Sequence, residues 1–200
     1  MAAGLGVAFT TIVTMCMVDG ITKKSVAAML GTVIGVVFSG AFALIFGQVT
    51  SITGYNVSDI ENLVYVGEMT DIKIGELLFA GILIASLGAV MDVGMSIAST
   101  LNELKEQNPQ MMTKELFQSG MNVGRDMMGT MTNTLILAFT GGSINTLVFI
   151  FAYNYEYQQV INMYSVGIEI MQGLSSSLGV IMAVPVTSWI AAFLYSKNQK

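Results

Sequence analysis

Apolar residues run along this chain in four long uncharged tracts, 25–58, 77–91, 127–155 and 170–196, and the charged residues are gathered into the short stretches between them. A bilayer core takes about 20 apolar residues as helix, so this pattern predicts several membrane-crossing helices rather than one soluble core. Five full spans are expected, over about 3–18, 26–48, 76–98, 126–141 and 174–195. Residues 3–18 have no basic region before them and no small-residue cleavage site after them, so they read as a span and not as a signal peptide. The apolar run 144–153 is only about ten residues long, too short to cross. It reads as a half-helix or re-entrant piece, followed by a polar helix over 156–172. The fold class is therefore an all-α polytopic membrane bundle, a single domain over 1–200, with a short re-entrant or interfacial helix and amphipathic connecting helices.

The charges orient these elements. Lys23 and Lys24 lie in a short loop, and Lys105, Lys114 and Arg125 lie in the segment 99–125, so both stretches belong on the cytoplasmic side. Residues 49–75 carry Asp59, Glu61, Glu68 and Asp71 against the single Lys73, and read as an outer amphipathic helix at the membrane surface. Lys197 and Lys200 fit a cytoplasmic C-terminus. Thr113 ahead of Leu116 and Phe117 suits a helix start.

Within the spans a second pattern appears, of small and polar residues at helical spacing. Gly31, Gly35, Ser39, Ala43 and Gly47 recur every four residues in the second span and form a packing face, because small side chains let helix backbones approach in lipid. The third span carries Gly81, Ala85, Gly88, Asp92, Ser96 and Ser99 on one such stripe, which predicts that Asp92 points into the bundle. A carboxylate there is either satisfied by neighbouring helices or serves as a proton- or cation-binding group. In the fourth span Asn122, Asp126, Gly129 and Asn133 share a face, with Thr130 beside them, and form a polar ladder descending into the membrane. Arg125 could snorkel to headgroups, pair with Asp126 or reach Asp92. Glu169, in line with Gln172, Gly173 and Ser176, offers a second polar approach from the outer side, and Pro185 should kink the last helix.

Composition narrows the chemistry. Hydrophobic residues make up 54% of the chain and charged ones 10%, well below the quarter or so of a soluble domain. Histidine is absent, which removes the commonest proton shuttle, the usual zinc ligand and the base of a serine or cysteine triad. With no paired serine–lysine or two-aspartate motif either, no enzymatic activity, metal site or cofactor is expected. Cys16 has no second thiol to pair with and reads as a small buried hydrophobe. The sixteen methionines are scattered through the spans and read as adaptable packing, not copper ligands. A net charge of −5 argues against nucleic acid as a partner and leaves the lipid bilayer.

Three polar blocks carry a resemblance. Gly88 to Ser99, Glu115 to Asp126, and Gly129 to Leu135, in that order and continued by Leu178-Gly179 and Val184-Pro185-Val186-Thr187, resemble the signature of the YibE/F family of bacterial multi-pass membrane proteins. About 120 of the 200 residues carry the likeness. It implies an integral protein of the bacterial inner membrane whose relatives have more hydrophobic segments before this part, and so a shortened form, or one that works with a paired relative or as a homo-oligomer. Gly88 to Leu104 and 115–142 also share a pattern with the membrane half of the SecD/SecF proton-driven transporters: an aspartate late in one span, a charged connection, then a threonine-rich span ending in glycines. The expected function is a transporter or transporter subunit. Asp92 would be the coupling carboxylate, Ser96, Asn122, Arg125, Asp126, Thr130 and Asn133 would line the route, and Glu169 would stand at its outer approach. The competing expectation is a non-transporting scaffold or accessory subunit that recruits a partner through 99–125.

Overall fold

A computed structural model describes residues 2–20, 22–53, 55, 64, 65, 67, 69 and 73–196. The expected outer amphipathic segment 49–75 lies mostly outside these residues, as do Lys197 and Lys200. Among the described residues the chain is all-helical, with seven helices: α1 (Ala2–Asp19), α2 (Lys23–Thr50), α3 (Ile74–Gln107), α4 (Thr113–Gly142), α5 (Ile144–Ala152), α6 (Tyr157–Ile161) and α7 (Tyr164–Ser196).

The helix ends follow local chemistry. Gly20 takes a positive φ of 68° after α1, a conformation that costs glycine little, and turns the chain toward α2. Thr22 then caps α2: its side chain accepts from the Ser25 amide at 3.2 Å, while the Ser25 hydroxyl donates back to the Gly20 carbonyl at 2.7 Å. The turn from α3 to α4 is tied by Lys105, whose ammonium donates to the carbonyls of Pro109 and Met111, both at 2.8 Å. The Glu115 carboxylate accepts from the Met112 amide at 2.9 Å, so α4 begins at Thr113 as its sequence predicts.

Three helices, Lys23–Thr50, Gly75–Gln107 and Tyr164–Ser196, are long and apolar enough to cross a membrane. A fourth crossing exists only if α4 and α5, bent by 55° at their junction, count as one broken span. α1 is apolar along nearly all of its 18 residues, but at about 1.5 Å each these extend only about 27 Å, just short of a bilayer core of about 30 Å. The expected count of five full spans is therefore not confirmed: by length and composition the described residues give three, or four with the bent pair. Two boundaries also shift. The segment 99–125 is not a separate connecting helix: its two halves continue α3 and α4, with only the turn at 108–112 between them. The polar stretch expected as one helix over 156–172 is split between the short α6 and the first turns of α7.

α7 is the central helix and packs on α2, α3 and α4, while α1 lies against α2 and α3 at one side. Large side chains of α3 and α7 fill hollows left by glycines opposite them. A Cβ at Gly35 would stand 2.6 Å from Val90 Cγ1 and 2.9 Å from Ala183, and one at Gly120 would stand 2.7 Å from Ser188 Oγ. The stripe Gly31, Gly35, Ser39, Ala43 and Gly47 is wholly buried and forms the packing face its spacing predicts. Tyr195 anchors the far end of α7, its hydroxyl donating to the Ala98 carbonyl at 2.9 Å. By contrast α5 has no buried residue, although it is apolar throughout.

Candidate functional site

The buried seam of α3 is made by Val90, Val93, Ile97 and Leu101, each with no exposed surface. Asp92 lies two positions from Val90, about 200° round the helix, and is exposed. Gly81, Gly88 and Ser99 of the same stripe are exposed with it, Ser96 is half-buried, and a Cβ added at Gly81 or Gly88 would meet nothing within 4 Å. The expectation that Asp92 points into the bundle is thus corrected: this stripe faces outward. The physical reason is that α3 has two faces able to pack in lipid. Its β-branched and leucine face meets the glycines of α2 and α4, while its own small-residue face is left open.

The same holds for α4. Leu116, Gly120, Gly124 and Leu135 form its buried side, with Gly120 against Ser188 and Leu101, and Gly124 against Val184 and Ile97. Asn122, Asp126 and Asn133 lie on the opposite side of the helix, and they, with Arg125 and Thr130, are exposed. The ladder exists, but it runs down the outside of the molecule. Its hydrogen bonds stay within α4: the Gln118 side-chain amide donates to Asn122 Oδ1 at 3.1 Å, and the Thr134 hydroxyl to the Thr130 backbone carbonyl at 3.0 Å.

Neither of the pairings open to Arg125 is made. The side chains of Asp92, Arg125 and Asp126 form no ion pair or hydrogen bond with any described residue, in contrast to Lys73 and Glu76, which pair at 3.5 Å near the start of α3. Because α3 and α4 run antiparallel, with Ile97 beside Gly124 and Leu101 beside Gly120, the register places Asp92 level with Gly129 and Arg125 level with Ser96. Carboxylate and guanidinium are thus about one helical turn apart in height, each on an outward-turned face.

Glu169 is separate from this set. It is half-buried in α7 and lines a cleft of about 560 Å³ between the ends of α4 and α7 and the short α5. The spacing of Glu169 with Gly173 and Ser176 gave no sign of that cleft, which is created by the bend after Gly142.

Sequence reasoning also missed a row of buried hydroxyls. Thr32, Ser39, Ser175, Ser176, Ser177, Thr187 and Ser188 each have a buried side-chain oxygen without a hydrogen-bond partner. Several of these sit at close helix approaches: a Cβ added at Gly31 would collide with Thr187, one at Gly179 would stand 2.8 Å from Ser39 Cβ, and one at Gly94 3.1 Å from Thr32 Oγ1. The Ser175-Ser176-Ser177 run in an otherwise apolar helix was the available signal. No group of three or more Cys, Asp or Glu among the described residues is placed to hold a metal ion.

Compared with known proteins, the chain matches no curated protein and no solved structure. A family model described as YibE/F-like protein matches residues 1–197, which include the three polar blocks and both outward faces. The chain belongs to the YibE/F-like family.

Proposed function

We propose that this chain is one subunit of a multi-pass transporter of the bacterial inner membrane, and that its polar route is completed by a neighbouring subunit, either a paired family member or a second copy. One observation carries the reading: Asp92, Arg125, Asp126 and Asn133 stand exposed, without intrachain side-chain partners, on the outward faces of α3 and α4. A charged side chain near the middle of a membrane helix costs about 2.5–3.5 kcal/mol on insertion scales, so such groups face protein or water rather than acyl chains. Asp92 sits near the midpoint of the 34-residue α3. Opposite a neighbouring subunit it would act as the coupling carboxylate, with Ser96, Asn122, Thr130 and Asn133 lining the shared route and Arg125 balancing its charge. The basic first turn of α2, with Lys23 and Lys24, and the lysines of the tail support a cytoplasmic C-terminus.

Asp92→Asn tests this in vesicles from cells in which the variant replaces the native chain and any paired relative is kept. Ion-gradient-dependent flux should fall at least about tenfold, in line with loss of a coupling charge; unchanged flux removes the role given to Asp92.

The close packing of α2, α3 and α7 favours a second reading. The small-residue contacts fill the interior between these helices and the polar faces lie outside it, as would suit a scaffold that holds a larger complex together. On that reading Asp92→Asn lowers recovery of partner chains in mild detergent and there is no specific flux to lose.

A further inference from the structure

We propose that the cleft between α4, α5 and α7 binds an organic cation carried on an apolar body. At the junction after Gly142 the chain turns by 55°, so α5 leans away from the axis of α4 and the first half of α7 closes the gap behind it. The resulting volume, about 560 Å³, falls in the range of about 300–1,000 Å³ typical of small-molecule sites. Its walls are mainly apolar, formed by residues such as Ile136, Phe139, Val166 and Ile170. One charged side chain lines it, the carboxylate of Glu169, and no lysine or arginine does. That carboxylate has no ion pair or hydrogen bond with any described residue. About two turns further along α7, on the same lining, the Ser177 hydroxyl is buried and unpartnered, at 7% exposure of the residue.

The chemistry of this lining selects among ligands. An anion would be repelled by Glu169 with no cation to offset it. A small inorganic cation needs several oxygen ligands in place of its water. The lining offers a single carboxylate, Glu169, and otherwise only neutral hydroxyl oxygens on mainly apolar walls. A neutral chain would cover the walls and leave the carboxylate unmatched. A weakly hydrated organic cation satisfies both: its body removes apolar surface from water, its charge meets Glu169, and the Phe139 ring adds a cation–π contact. This is a claim about binding, and it stands or falls separately from the transport reading.

The test uses the full chain in lipid nanodiscs, with tetraphenylphosphonium and the anion of the same shape, tetraphenylborate, each referenced to empty nanodiscs. The wild-type chain should prefer the cation by at least about tenfold over the anion. Glu169→Gln should lower cation affinity by a similar factor and erase the preference, with Glu169→Ala as the substitute should the first variant not fold. Gly173→Leu should weaken both ions, because Gly173 lines the cleft and a Cβ there would stand at an ordinary 3.6 Å from Phe139. Equal binding of the two ions, no binding of the cation, an unchanged affinity in the Glu169 variant, or undiminished binding in Gly173→Leu would each overturn the assignment.

Discussion

Glycine has opposite meanings at two positions of this bundle. At Gly124 an added Cβ would press on Val184 and come within 3.2 Å of Ile97 Cδ1, whereas at Gly88 it would meet nothing within 4 Å. Gly124→Leu should therefore destabilise the fold, since overpacking a tight contact costs about 1–3 kcal/mol or more. Gly88→Leu should leave the thermal unfolding of the isolated chain unchanged and reduce its association with a neighbour. Melting in detergent, followed by tryptophan fluorescence or helical signal, separates the two: a fall in Tm for Gly88→Leu equal to that for Gly124→Leu would contradict the outward placement of the α3 stripe. From sequence the difference points the other way: Gly88 lies on the small-residue stripe of the third span, whereas Gly124 lies in the charged segment 99–125, expected as a cytoplasmic connection. What distinguishes them is which side of the helix meets a large side chain from elsewhere, and that depends on the partner helix and not on local spacing. The orientation of Asp92 was illegible for the same reason.

Elements were more legible where a local signal fixed them. Thr113, with Glu115, marks the start of α4 as expected, whereas Lys23 and Lys24, expected in a loop before a span from about 26, form the first turn of α2 behind the Thr22 cap. Thr22→Ala should cost about 1 kcal/mol by removing the acceptor for the Ser25 amide, seen as a lower Tm with unchanged helix content; no change in Tm would mean that water or another group caps α2 equally well. Long-range features were harder to read. The bend at Gly142 to Ile144 was visible as Gly141-Gly142-Ser143, but the 55° angle and the cleft it opens depend on how α7 lies behind it. The 99–125 segment misled because its charges suggested an independent surface helix, whereas they sit on the ends of α3 and α4, where the helices continue past their apolar parts.

Across the whole molecule, the inside is sealed by small-residue contacts and much of the polarity is displaced outward. α2, α3, α4 and α7 bury valine, leucine and alanine against glycine and serine, and the faces bearing Asp92 and the Asn122–Asn133 ladder are left without intrachain cover. In hydrocarbon that arrangement is costly. Cover by another polypeptide relieves the cost and would place Asp92 and Arg125, which differ in height by about one turn, within reach of complementary groups across a subunit boundary. The most direct test is cross-linking in native membranes of Gly88→Cys, one turn from Asp92 on the same outward face, in a Cys16→Ser background, with Val93→Cys as the buried control. The account predicts that the Gly88→Cys chain joins a second polypeptide and the control does not. A Gly88→Cys chain that stays uncross-linked while a fluorophore on it is fully quenched by nitroxide-bearing lipids would place this face in acyl chains and contradict the account.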